Sequence, residues 1–105
     1  MFTIYDQYEL LELFESEPIV IGEPEAGMNI FKKEDKYGFK LILTISIYEK
    51  ECILSLTQRD CPNPIFDLRL TDVNKIYNEN STLYIMSGEK LISIGFHPNF
   101  SLSNL

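Results

Sequence analysis

Lysine and arginine are missing from the first 31 residues, tryptophan is missing throughout, and the 105-residue chain has one histidine, His97, and two cysteines, Cys52 and Cys61. Each scarcity removes a function class. There is no C-x-x-C pair and no H-x₃-H pair to anchor zinc, so neither a metal nor another cofactor is expected. The glycines (Gly22, Gly27, Gly38, Gly88 and Gly95) fall in no phosphate-cradling spacing. Cys61, in a proline-rich loop, is the most plausible reactive thiol, and His97 the one histidine that could serve it as base. No catalytic signature surrounds either, so the chain is expected not to be an enzyme. Long apolar runs are also absent. The stretch from Phe39 to Tyr48 is broken by Lys40, Thr44 and Ser46 and falls well short of the roughly 20 residues a membrane helix needs. No basic segment leads into an apolar one near Met1, so a cytoplasmic protein with reduced thiols is expected.

What the chain has in excess is acid, in one place. Asp6, Glu9, Glu12, Glu15, Glu17, Glu23 and Glu25 precede the first base, whereas from Met28 onward nine acids meet nine bases. The formal charge of −7 therefore belongs to the N-terminal quarter. Such a balance argues against nucleic acid and anionic membrane as partners and favours a basic protein. The bases Lys32, Lys33, Lys36 and Lys40 cluster around one turn, but Glu34 and Asp35 interrupt them, which reads as a solvated hairpin.

The order of elements follows from periodicity. Asp6 suits a helix N-cap, with Glu9 three residues later as a capping-box carboxylate. Leu10, Leu11, Leu13 and Phe14 fall on one arc of that helix, Glu9, Glu12 and Glu15 on the other with Tyr8 beside them, and Pro18 ends it. Ile19-Val20-Ile21 reads as a short buried strand or an extended connector. The pattern then changes to a period of two. Strands are expected over Met28–Lys33, Phe39–Tyr48, Cys52–Gln58, Ile65–Thr71, Thr82–Met86 and Leu91–Phe96. Thr71 to Tyr77 either continues its strand after a bulge or turns back as a new one, and the tail from Asn99 is expected to fray. The sum is one domain of α+β class, mainly β: a short N-terminal amphipathic helix packed on a roughly six-stranded antiparallel meander, able to curl into a half-barrel or half-sandwich. Cys52, alternating with Leu54 and Leu56, belongs to its core.

Like charges three and four apart on a helix repel by a few tenths of a kcal/mol per pair, and Glu15 and Glu17 lie near the end where the helix dipole disfavours anions. A solvated face and a recognition face both fit this acidity. Taken as recognition, the partner-binding residues are Tyr8, as an aromatic anchor, with Glu9, Glu12, Glu15, Glu17, Glu23 and Glu25.

The stretch Phe66-Asp67-Leu68-Arg69-Leu70-Thr71-Asp72-Val73-Asn74-Lys75-Ile76, followed by Leu83-Tyr84-Ile85, resembles a pattern in small bacterial immunity proteins of polymorphic toxin systems. It covers roughly the C-terminal half of the chain. The resemblance implies a sheet-rich cytoplasmic protein that inhibits a basic toxin by direct binding and carries no catalytic motif. The alternative is a structural or assembly module, a homo-oligomer joined through sheet edges or through the mixed sheet face bearing Ile42 and Tyr48.

Overall fold

The computed structural model describes residues 3–96 and 100–103. His97, and with it the Cys61–His97 pairing, lies outside the described residues.

Helix α1 (Gln7–Phe14) starts as its sequence dictates. Asp6 has an extended backbone and its Oδ1 accepts from the Tyr8 N–H at 2.8 Å. Leu10, Leu13 and Phe14 are buried, while Leu11 is half-buried. The helix ends before Pro18 is reached: Glu15 turns left-handed (φ 57°) and its N–H closes on the Leu11 carbonyl at 2.8 Å.

The described residues also form ten strands: β1 (Ile4–Tyr5), β2 (Ile19–Val20), β3 (Met28–Glu34), β4 (Phe39–Ser46), β5 (Glu51–Gln58), β6 (Phe66–Leu70), β7 (Val73–Glu79), β8 (Thr82–Ser87), β9 (Lys90–Gly95) and β10 (Ser101–Ser103). The mainly-β α+β class is as expected, but the single meander of about six strands is instead two five-stranded sheets. The first has the order β1-β7-β8-β9-β10 and the second β2-β3-β4-β5-β6. The chain changes sheet between β6 and β7. Asp72 turns left-handed (φ 52°), the Val73 N–H donates to the Lys50 carbonyl at 2.8 Å, and Lys50 Nζ lies 3.2 Å from the Asp72 carboxylate. Both sheets own an apolar face, and an eight-residue helix is too small to cover either. Facing the two together buries Phe31, Leu41, Leu43, Ile45 and Leu54 of the second sheet with Val73, Ile76, Leu83, Ile85, Ile92 and Ile94 of the first. The helix fills one side of this core. Phe14 sits 5.4 Å from the Phe31 ring and 5.3 Å from the Phe96 ring, centroid to centroid.

Three smaller elements differ from expectation, each for a physical reason. β1 pairs with β7 in parallel, which an adjacent hairpin cannot do but a strand some 70 residues distant can. Thr3 fastens it: its buried hydroxyl donates to the Val73 carbonyl at 2.7 Å and its N–H to the Ile47 carbonyl at 3.0 Å. β2 is exposed, not buried, because it occupies the outer edge of the second sheet beside β3. The tail does not fray before Ser103: β10 pairs with β9, and Phe100 and Leu102 pack on the core. Cys52 is in the core as expected, and Cys61 is exposed in the loop before β6.

Candidate functional site: an acidic cleft beside the helix

The first acid of the helix face is absorbed by the fold. β1 covers β7 only at Lys75 and Ile76, so the next stretch of the β7 edge would lack partners. Helix α1 supplies them. Glu9 Oε1 accepts from the Asn78 N–H at 3.1 Å, and the Glu9 carbonyl accepts from Asn78 Nδ2 at 3.4 Å. Glu9 is therefore half-buried and serves to dock the helix on the strand.

Docking the helix there creates a cleft of about 370 Å³ between α1 and the β7–β8 hairpin, lined by Glu12, Leu13, Glu15, Asn78, Asn80 and Ser81. The hairpin turns through Asn80 and Ser81, both left-handed (φ 53° and 57°), as a tight two-residue loop requires. Acceptors dominate the lining. Glu12 and Glu15 present carboxylates, and Asn78 Oδ1 is buried with no hydrogen-bond partner among the described residues. Lys33 of β3 reaches Glu15 at 2.6 Å, and the Glu15 side chain still keeps 68% of its surface exposed. A group with several N–H donors, such as an ammonium or a guanidinium, is what this set of acceptors suits.

The remaining predicted residues lie elsewhere. Tyr8 projects from the helix with 80% of its surface exposed. Glu17 lines a separate hollow of about 500 Å³ with Tyr5, Gln7, Val20, Asn29 and Tyr48. Tyr48 is not on the mixed sheet face with Ile42, since β4 ends at Ser46. Its ring is seated on Gly27, where a Cβ would come within 2.9 Å of it and where φ is +72°, so only glycine fits without strain. Glu23 and Glu25 are exposed in the loop around the one-turn 3₁₀ helix Pro24–Ala26 and line neither depression. The structure thus gathers Glu12 and Glu15 in the cleft with Glu9 behind them, and leaves Tyr8, Glu17, Glu23 and Glu25 apart.

Sequence reasoning missed Asn78, Asn80 and Ser81. Nothing in their spacing says that Asn78 lies in β7, or that the turn after it lies against a helix some 70 residues earlier. The burial of Cys52 pushes its thiol up to about 12. Among the described residues no three His, Cys, Asp or Glu side chains are grouped as metal ligands would be, and no helix is long and apolar enough to cross a membrane.

No family model matches the chain, and no curated protein does. A solved structure does. A chain of a contact-dependent growth inhibition toxin–immunity protein complex from Klebsiella pneumoniae 342 shares the fold, with a TM-score of 0.78 over 98% of this chain and 96% of that one, at 23% identity. The likeness is one of fold, end to end, and it is consistent with the resemblance to immunity proteins of toxin systems.

Proposed function

We propose that this chain is a non-enzymatic, immunity-type inhibitor that acts in the cytoplasm by binding a basic toxin through its acidic N-terminal side. The observation that carries the reading is the end-to-end fold match to a chain of a toxin–immunity protein complex. Two features of the chain support it. Its net charge of −7 arises entirely before Met28, and two of those acids converge on a cleft that Asn78 also lines. An acidic surface of this kind speeds encounter with a basic one, and that steering weakens as salt rises.

In this reading Glu12 and Glu15 receive a lysine or arginine of the toxin, Glu17, Glu23 and Glu25 extend the attractive field, and Tyr8 supplies contact area at the rim. Glu9 contributes through the helix it docks. The test is to sequence the genes beside this chain's own and to co-express it with the toxin domain found there. Growth should be restored when the chain is present, and the two should co-purify. Growth arrest that persists with both proteins soluble and intact would overturn the proposal. The acidic-side version has its own check: exchanging Glu12, Glu15 and Glu17 together for glutamine should slow association about tenfold at low salt and flatten its salt dependence.

A further inference from the structure

The strand register places a different kind of surface on the outer face of the second sheet. One row runs across all five strands as Ile19, Ile30, Thr44, Ile53 and Arg69, and the next runs as Lys32, Ile42, Ser55 and Asp67. These side chains alternate with the buried Phe31, Leu43 and Leu54, so they point away from the core and from the helix. Ile30, Ile42 and Ile53 are half-buried and Ile19 is 50% exposed, which makes an apolar centre. Within the strands the charged side chains of this face are Lys32, Lys40 and Arg69 against Glu34, Glu51 and Asp67, with Arg59 just past β5 pairing with Glu34 at 3.6 Å, so the face is not acidic in a chain of charge −7.

We propose that this face joins two copies of the chain, face to face, about a two-fold axis parallel to the strands and running between β4 and β5. Such an axis keeps each row at its own level and exchanges β3 with β6 and β4 with β5. The second row is polar in the sense this needs, with a cation at its β3 end and an anion at its β6 end. Lys32 then meets the partner's Asp67, and by symmetry Asp67 meets the partner's Lys32. Among the described residues neither makes an ion pair within its own chain. Ile42 lies over the partner's Ser55, Thr44 over the partner's Ile53, and Ile30 against the aliphatic stem of the partner's Arg69. Like charges are not brought together: Lys40 faces the partner's Thr57, and Glu51 the partner's Ser46. A two-fold axis across the strands sets Lys32 over the partner's Ile30 instead and leaves its charge unanswered.

The four overlapping strands β3 to β6, each about 4.8 Å wide and at most roughly 26 Å long, give at most about 500 Å² of flat area, below the ~800 Å² per partner of a standard interface. A reversible dimer is expected, with a dissociation constant of about 10–100 μM. The inference is independent of the immunity-type reading, because it uses no residue of the acidic cleft.

Sedimentation velocity on the full chain from about 10 μM to about 1 mM tests it, with circular dichroism to verify that each variant is folded. The wild type should pass from monomer to dimer over that range. Lys32→Asp and Asp67→Lys should each weaken the dimer about tenfold by setting like charges opposite each other twice, and the double exchange should restore it. Glu25→Gln should leave it unchanged. A wild type that stays monomeric throughout overturns the proposal. So does a dimer indifferent to both single exchanges, or a double exchange that fails to restore association.

Discussion

Beside α1, Glu12 and Glu15 crowd one cleft, with Lys33 drawn to Glu15 and Glu17, Glu23 and Glu25 adding to the same sign. On the outer face of the second sheet, three cations and three anions are dealt out across neighbouring strands around a centre of isoleucines. A helix stacks residues three and four apart on one face, so acids at that spacing sum to a stronger local field, felt within the roughly 10 Å over which salt screens charge. An antiparallel sheet puts residues from distant parts of the chain into one row, so opposite charges cancel at a distance and act only on contact. The first arrangement is the one proposed to meet a partner of opposite charge, the second the one proposed to meet a copy of the chain.

The largest expected effect breaks the helix side and spares the sheet face. Phe14→Ala should cost about 3–5 kcal/mol in denaturant unfolding, because the ring fills the gap between Phe31 and Phe96. Hydrogen exchange should then lose protection over Gln7–Phe14 while β4 and β5 keep theirs. A loss under about 1 kcal/mol would mean that the helix is not anchored through this ring.

A smaller effect separates acids within the helix face. Glu9→Ala should destabilise by about 1–3 kcal/mol, since it leaves the Asn78 N–H without its acceptor. Glu12→Gln should change stability by less than about 0.5 kcal/mol and act only on association. Equal stability effects from the two would erase the distinction between a carboxylate that docks the helix and one that faces a partner.

The smallest effect at neutral pH concerns how rigid the second sheet is. Cys61 should react with an aromatic disulfide reagent at once, and Cys52 only on unfolding, because Cys52 lies buried in β5. The Cys52 thiol is raised from 9.0 to about 12 in the fold, so the native state holds its proton where the unfolded chain has lost it. The stability this confers is complete below pH 9.0 and is lost as pH rises towards about 12. Cys52→Ala should decline less steeply over that window in pH-dependent unfolding. Identical slopes would indicate that the thiol is reached by water in the native sheet.

Much of the fold was legible locally. Asp6 caps α1 because a short carboxylate before a helical arc has one good use, and the alternation in β5 named Cys52 and Leu54 as core, with Leu56 half-buried beside them. β1, β2 and β10 were harder to read, being two or three residues long and defined by the neighbour each pairs with. The acids of the candidate site were legible by their confinement, but not their separate roles. Glu9, Glu12 and Glu15 look alike at helical spacing, and only Asn78 and Lys33, arriving from β7 and β3, distinguish them.

The sequence by itself determined the charge asymmetry, the helix with its cap, and which face of each longer strand is apolar, because these depend on residue type and on periods of 3.6 and two. Only the tertiary structure decided that the strands divide into two sheets at Asp72, that one carboxylate completes a strand edge while its neighbours line a cleft, and that Lys32 and Asp67 end the same row. Those outcomes rest on contacts between residues far apart in the chain, which register and packing create and which local composition does not encode.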